Sequence, residues 1–554
     1  MTDTTDILRK APFNLDDAAV AWVKSVKASL TPAEQVGQLF VFHSMGKDPG
    51  ELARLAALKP AGITRNFTPD LDHEANFVET MQAAARVPMF ISADLEGSRM
   101  SLSVGTEVPN PLALAAVNDL QASRQISRIM ADEARALGIN WSFTPVVDIN
   151  AAFRSAIVAT RGFGASIDTI EQQALAQIAE FQAAGVAATA KHWPGEGYDD
   201  RDQHLVTTIN PLTMDDWNAS FGRLYRAAIA NGVMAVMSAH IALPAYILGK
   251  DPDAGVEAYR PATTSRALNI DLLRGELGFN GIIVSDATPM AGFGSWGPRS
   301  AMLPEVIENG CDIILFCRDA AADVALITQA VADGRISTRR LDEALTRVLG
   351  LKAWAGLHKA SVKIDRTALA TPANKTAARA VTARAPTLVK DTARTLPLSP
   401  QKTRRVLVVS TGVVVPFFPQ PMPFDLPDML KAEGFEVTLF TPGITPDPRD
   451  FDLMIYLFGE ETLLTRGRIF LDWLKITGNF GAAMARHWHD IPTVMISFGY
   501  PYYLYDAPRV PTYVNAYATM PTMQAAVVEC LMGRAAWNRT SPVDPFCGLP
   551  DARY

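Results

Sequence analysis

Gly185-Val186-Ala187-Ala188-Thr189-Ala190 gives way at once to Lys191-His192-Trp193-Pro194-Gly195-Glu196-Gly197. A short run that is almost wholly apolar, rather than alternating, reads as a strand buried on both faces. The charged, glycine- and proline-rich stretch after it reads as a loop at the strand's C-terminal end. The pattern recurs at Gly37–Phe42, Ala61–Thr64, Pro88–Ser92, Ile139–Val147, Gly232–Ala239, Gly281–Ser285 and Cys311–Phe316, of which Ala61–Thr64 is the weakest. Helix-like stretches such as Leu112–Leu137 and Ile167–Ala184 separate most of these runs. Eight alternating strand and helix units predict a protein of α/β class built on a (β/α)8 barrel.

The pattern changes near Leu357, where a polar segment leads into the Ala-rich stretch Thr376–Ala385. We therefore expect a barrel over residues 1–356, a linker over 357–385 and a second domain over 386–554. Within the last, the runs Arg405–Ser410, Phe435–Thr441, Asp452–Phe458, Pro492–Phe498 and Thr512–Ala516 alternate with helix candidates at Pro427–Glu433, Thr465–Ile476 and Met523–Met532. This predicts a smaller αβα sandwich with a mostly parallel sheet. The chain has 554 residues, 51 Lys+Arg against 58 Asp+Glu and a net charge of -7, which argues against a nucleic-acid partner. No apolar run approaches the ~18 residues of a membrane span. The start, MTDTTDILRKAPFN, lacks a basic segment followed by an apolar one, and four cysteines are too few for a disulfide framework. A cytoplasmic location is expected.

In a (β/α)8 barrel the chemistry gathers at the C-terminal ends of the strands. Five of the runs meet polar groups there: Asp94 and Glu96 after the third, Asp148 after the fourth with Arg161 beyond, Lys191 and His192 after the fifth, His240 after the sixth, and Asp286 after the seventh. One charged strand exit is commonplace; five in register point to a site. The loop after Lys191-His192 also carries Asp202-Gln203-His204. An aspartate two residues before a histidine can accept the Nδ1–H, fix the tautomer and leave Nε2 for proton transfer. A solvated chance pair is the alternative. His240 reads equally as a site residue or a structural histidine, Trp193 as a stacking platform for a ligand or as packing, and Glu96 as a turn or network residue. Gly292-Phe293-Gly294-Ser295-Trp296-Gly297 matches G-x-G-x-x-G, but its distance from the strand disfavours a dinucleotide site. His487-Trp488-His489 is too sparse for a metal centre, so no metal and no cofactor are expected.

Lys191 to Gly197 with Asp202-Gln203-His204 resembles the signature of family 3 glycoside hydrolases of the β-N-acetylglucosaminidase type. That signature reads Lys-His-Phe/Ile-Pro-Gly-His-Gly, four variable residues, then Asp-Ser-His. Ala93 to Gly97, Phe143 to Asp148, Arg161-Gly162-Phe163-Gly164 and Gly281 to Asp286 are similar to further segments of that family. The resemblance implies retaining, exo-acting release of a terminal β-linked N-acetylglucosamine from a small saccharide. It makes Asp286 the nucleophile, His204 with Asp202 the acid/base dyad, and Asp94, Arg161, Lys191 and His192 the sugar-binding residues. Phosphate as the acceptor, β-glucosidase activity and non-catalytic sugar binding stand as alternatives. The second domain is expected to complete the site wall or to mediate homodimerisation. Glu460-Glu461, where some family 3 glucosidases carry their acid/base, is not needed beside the dyad. The sequence departs from the signature at Glu196 (usually His), Gln203 (usually Ser), Ser98 (usually Gly) and Leu102 (often Arg).

Overall fold

The computed structural model describes residues 4–65, 68–359, 363–415, 418–444 and 446–554. In chain order the first part holds strands β1 (Phe40–Ser44), β2 (Gly62–Arg65), β3 (Phe90–Ala93), β4 (Trp141–Ser142), β5 (Thr189–Trp193), β6 (Thr208–Ile209), β7 (Ala235–Ser238), β8 (Ile241–Ala242), β9 (Ile282–Ser285) and β10 (Ile314–Leu315). One parallel sheet runs β10-β1-β2-β3-β4 and another β5-β7-β9. Parallel bridges Trp141–Ala187, Val146–Lys191 and Val284–Ile313 join their edges, which closes the ring of eight. The short pair β6–β8 lies outside it.

The sequence dictates this locally. Strands β2, β3, β5, β7 and β9 are buried at every position, as expected where side chains fill a barrel on one face and meet helices on the other. The helices Leu120–Ala136 and Ile167–Ala183 start where the side chains of Asp119 and Ser166 accept their free amides. Two boundaries differ from the apolar runs. Gly185, at φ +76°, ends the helix before β5, and Val186 still bonds back to Phe181, so the strand begins only at Thr189 and carries Lys191 and His192 within it. The run Ile139–Val147 forms only a two-residue ladder, because Pro145 has no amide to donate.

The second part holds β11 (Thr387–Asp391), β12 (Arg405–Val413), β13 (Glu436–Leu439), β14 (Leu453–Gly459), β15 (Thr493–Ser497) and β16 (Thr512–Asn515). Their order is β11-β16-β15-β14-β12-β13, parallel except for β11 against β16. Strand β11 is absent from the sequence reading because Lys390 and Asp391 interrupt its apolar pattern; the Lys390 ammonium donates to the carbonyls of Pro508 and Ala552, both at 2.7 Å. Residues 357–385, read as a linker, contain the helix Pro372–Thr382, which buries Ala378 and Val381; residues 360–362 lie outside the described residues. The helix expected over Thr465–Ile476 is confined to Trp473–Thr477, and the chain before it forms a loop that reaches the barrel. Among the described residues no helix is long and apolar enough to cross a membrane.

Candidate active site

The strand ends bring most of the sequence-marked residues together. Glu96 lies at the centre of a buried cationic pair. Its carboxylate takes two bonds from Arg161, at 2.8 and 2.9 Å, and one contact from the Lys191 ammonium at 2.8 Å. Lys191 reaches on to Asp94 at 2.6 Å, and the Asp94 side chain keeps 34% of its surface exposed, against 2% for Lys191. Burial alone would raise the Glu96 carboxyl, but the two cations hold it well below the usual carboxylate range. Asp94 and Glu96 likewise raise the Lys191 ammonium against its burial. The network residue expected at Glu96 is thus the common partner of two proposed sugar-binding cations. Glu96→Ala would leave both of them short of a counter-charge, and is expected to destabilise the fold by about 3–5 kcal/mol. Thermal or denaturant unfolding of the purified variant checks this.

His192 is oriented by Asp148, whose two oxygens lie 2.6 Å from Nδ1 and 3.0 Å from the His192 amide. Nδ1–H therefore donates to the carboxylate, and Nε2 faces Arg161 at 3.4 Å. Asp148 also accepts the Glu196 amide at 2.9 Å. The part of Asp148 in fixing His192 is visible only in space, and Arg161 pairs with Glu96.

The Asp-x-His pair is formed. Asp202 Oδ1 lies 2.7 Å from both the Nδ1 and the amide of His204, which leaves Nε2 without a hydrogen bond among the described residues. The other oxygen of Asp202 accepts the backbone amide of Thr465, from the second domain, at 2.8 Å. The His204 carbonyl accepts Ala291 N at 3.0 Å, so the histidine is tied to the segment that follows Asp286. Asp286 ends β9 with its amide on Ser238 O and its Oδ1 on Ala287 N at 2.7 Å. Burial would raise its carboxyl, yet the nearby imidazoles of His192, His240 and His204 and the Ala287 amide hold it below the ordinary value. Burial keeps the His240 imidazole below its ordinary value; its two nitrogens face Thr263 Oγ1 at 2.9 Å and Ala287 O at 3.0 Å, so both are partnered.

Within the loop after β5, Glu196, Asp202 and Gln203 are all buried, which anchors it to the barrel. Gly197, at φ +114°, sits so close to Ile149 O that a Cβ would fall 1.9 Å from it. Gly292, in the G-x-G-x-x-G match, serves the same purpose: a Cβ there would lie 2.2 Å from Gln203 O. Trp193 is fully buried and packs edge-on against Trp217 and Tyr225, so it is no sugar platform. Asp148, His192 and Glu196 offer atoms within 4.8 Å of one another, but both Asp148 oxygens and His192 Nδ1 are engaged with each other and with backbone amides.

The second domain covers the rim of the barrel. Buried Glu461 accepts Ser98 Oγ at 2.7 Å, Asn110 Nδ2 at 3.1 Å and Thr519 N at 2.8 Å. Arg99 donates to Thr519 Oγ1 at 2.8 Å. Glu460 accepts the Tyr503 hydroxyl, and burial raises its carboxyl. Glu461 and Arg99 tie the two parts together, whereas Glu460 is bonded within the second. Thr465 carries no signal in the sequence, since its partner Asp202 is remote in the chain, and Glu461, weighed there only as an acid/base position, is instead a tie to the barrel.

The model of the glycosyl hydrolase family 3 N-terminal domain matches residues 23–351. A "Beta-N-acetylglucosaminidase/beta-glucosidase" of Cellulomonas fimi is 39% identical over 98% of this chain and 99% of its own length. A "Beta-hexosaminidase" of Stenotrophomonas maltophilia is 35% identical over 50% of this chain and 80% of its own. Among solved structures, the "Beta-glucoside phosphorylase BglX" superposes with a TM-score of 0.91 at 31% identity, covering 99% of this chain and 100% of that one. A family 3 β-N-acetylglucosaminidase from Paenibacillus sp. str. FPU-7 superposes with a TM-score of 0.79 at 25% identity, covering 93% and 99%.

Proposed function

The chain belongs to glycoside hydrolase family 3, and from that premise we propose that it releases terminal β-linked N-acetylglucosamine with retention of configuration. The observation that carries this reading is the Asp202–His204 pair, bonded at 2.7 Å and fastened through Ala291 to the segment beside Asp286. Asp286 attacks the anomeric carbon as the glycosidic C–O bond breaks, and Nε2 of His204 gives its proton to the departing oxygen. In the second half the same nitrogen takes a proton from the acceptor, which displaces Asp286. The scheme differs from the usual pair of carboxylates in having an imidazole as the acid/base. Asp94, Lys191, Arg161 and His192 bind the sugar: the exposed edge of Asp94 accepts from hydroxyls, and the cations behind it donate. Glycans derived from peptidoglycan or from chitin fit an enzyme of this kind, and the free cysteines Cys311, Cys317, Cys530 and Cys547 fit a reducing cytoplasm.

A second reading, phosphorolysis, is favoured by the end-to-end likeness to the β-glucoside phosphorylase. An imidazole base, unlike a carboxylate, presents no fixed negative charge to an incoming phosphate. The two readings differ only in the acceptor. With 4-nitrophenyl N-acetyl-β-glucosaminide the expected product is free sugar of retained configuration. If added phosphate speeds turnover and diverts the product to a sugar 1-phosphate, the phosphorylase reading replaces hydrolysis. A clear preference for the matching glucoside would instead move the substrate class.

A further inference from the structure

We propose that Gln203, clasped between Glu196 and the backbone of His240, is a positioning residue that sets His204 over the site. The proposal rests on the reading of His204 as the acid/base. Gln203 is fully buried although it stands between Asp202 and His204 in a loop whose neighbours Arg201 and Leu205 are exposed. Its side chain is used at both ends: Nε2 donates to Glu196 Oε2 at 3.0 Å, and Oε1 accepts His240 N at 3.1 Å. Both anchors are themselves fixed. The Glu196 amide is on Asp148 and its carbonyl accepts Ile149 N at 3.2 Å. The His240 ring bridges Thr263 and the carbonyl of Ala287, the residue after Asp286. One side chain thus ties the residue before His204 to the ends of β5 and β7 and, through His240, to the segment that begins with Asp286.

Glu196 can serve as the anchor in either protonation state. Its burial, with Asp148 close by, pushes its carboxyl well above the usual range, and Asp202 and Asp286 add to the push. A protonated carboxyl can accept from Gln203 through Oε2, and an amide in its place can do the same. Oε1 has no partner among the described residues. Glu196 and Gln203 both depart from the signature, and the structure shows them to be bonded to each other. A catalytic group must be held within about 0.5 Å of its productive position by neighbours that are themselves locked. Without the clasp, the buried His240 amide and the Glu196 carboxyl lose their partner, and the turn carrying His204 must rearrange to satisfy them.

The test compares Gln203→Met, which keeps the volume and removes both bonds, with Glu196→Gln, which keeps the acceptor, and with His204→Ala. Each is assayed on a dinitrophenyl glycoside and on a glycoside with an unactivated sugar or alkyl aglycone. Gln203→Met is expected to lose roughly tenfold to a hundredfold in kcat/KM on the unactivated substrate, part of the 10²–10⁴ that a well-placed acid/base supplies, with little change in kcat/KM on the dinitrophenyl substrate. Glu196→Gln is expected to stay near wild type on both. Damage that is equal across aglycones, or wild-type activity in Gln203→Met, overturns the clasp. A loss in Glu196→Gln as deep as that in His204→Ala overturns it too, because Glu196 would then handle the proton itself. If His204→Ala shows no aglycone-dependent loss, it is the reading of His204 that fails.

Discussion

Replacing Asp286 with alanine is expected to reduce kcat by at least about 10⁴-fold on every aglycone, since removing the nucleophile from a coupled site has cost on the order of 10⁶ elsewhere. The fold is expected to survive. Among the described residues the Asp286 side chain accepts one hydrogen bond, from Ala287 N to Oδ1, and giving up one such bond costs about 1 kcal/mol. Its backbone amide remains on Ser238 whatever the side chain. Azide added to the variant should occupy the vacated space and return glycosyl azide of inverted configuration, because a single displacement then replaces two. Near-wild-type turnover, or an azide product of retained configuration, would remove Asp286 as nucleophile. The pH dependence follows from the direction of its shift. With the carboxyl held below its ordinary value, the nucleophile stays ionised as the pH falls through the usual carboxylate range, so an acid limb near pH 5–6 in the wild-type profile must come from another group.

His204→Ala is the second large effect, and its signature is selectivity. Loss of the proton donor is expected to cost about 10²–10⁴-fold in kcat/KM where the leaving alcohol needs protonation, and far less where the aglycone is a dinitrophenolate. On the activated substrate the glycosyl-enzyme forms but lacks its base, so release becomes limiting and a burst of phenolate is expected. Azide, which needs no deprotonation, should relieve that block and give an azide of retained configuration. Equal losses on both substrates would exclude the acid role. Asp202→Asn is a weaker test, because Asp202 also accepts the amides of His204 and Thr465, so its replacement disturbs loop and domain contact together.

Much of the fold was legible because a buried parallel strand needs apolar residues on both faces and leaves its polar groups at the exit. That rule places Asp94, Lys191, His192, Asp148 and Asp286 at one end of the barrel. It fails at the edges: β11 carries Lys390 and Asp391, tolerable because an edge strand solvates one side and carbonyls take the ammonium. The helix expected over Thr465–Ile476 fails for another reason, since Thr465 at its start is held by Asp202 of the barrel, and propensity does not register such a contact.

What the chain determines alone is the periodic part: eight strands, their exits, and an Asp-x-His spacing close enough to form its own hydrogen bond. These depend on neighbours in sequence. Only the tertiary structure decides that Glu96 joins Arg161 and Lys191, that Gln203 is a buried brace rather than a loop residue, and that Thr465 of the second domain completes the shell of Asp202. Each of these contacts spans separate turns, or as many as 263 residues, and a charge or amide is stable in a buried place only where the fold brings its partner to it.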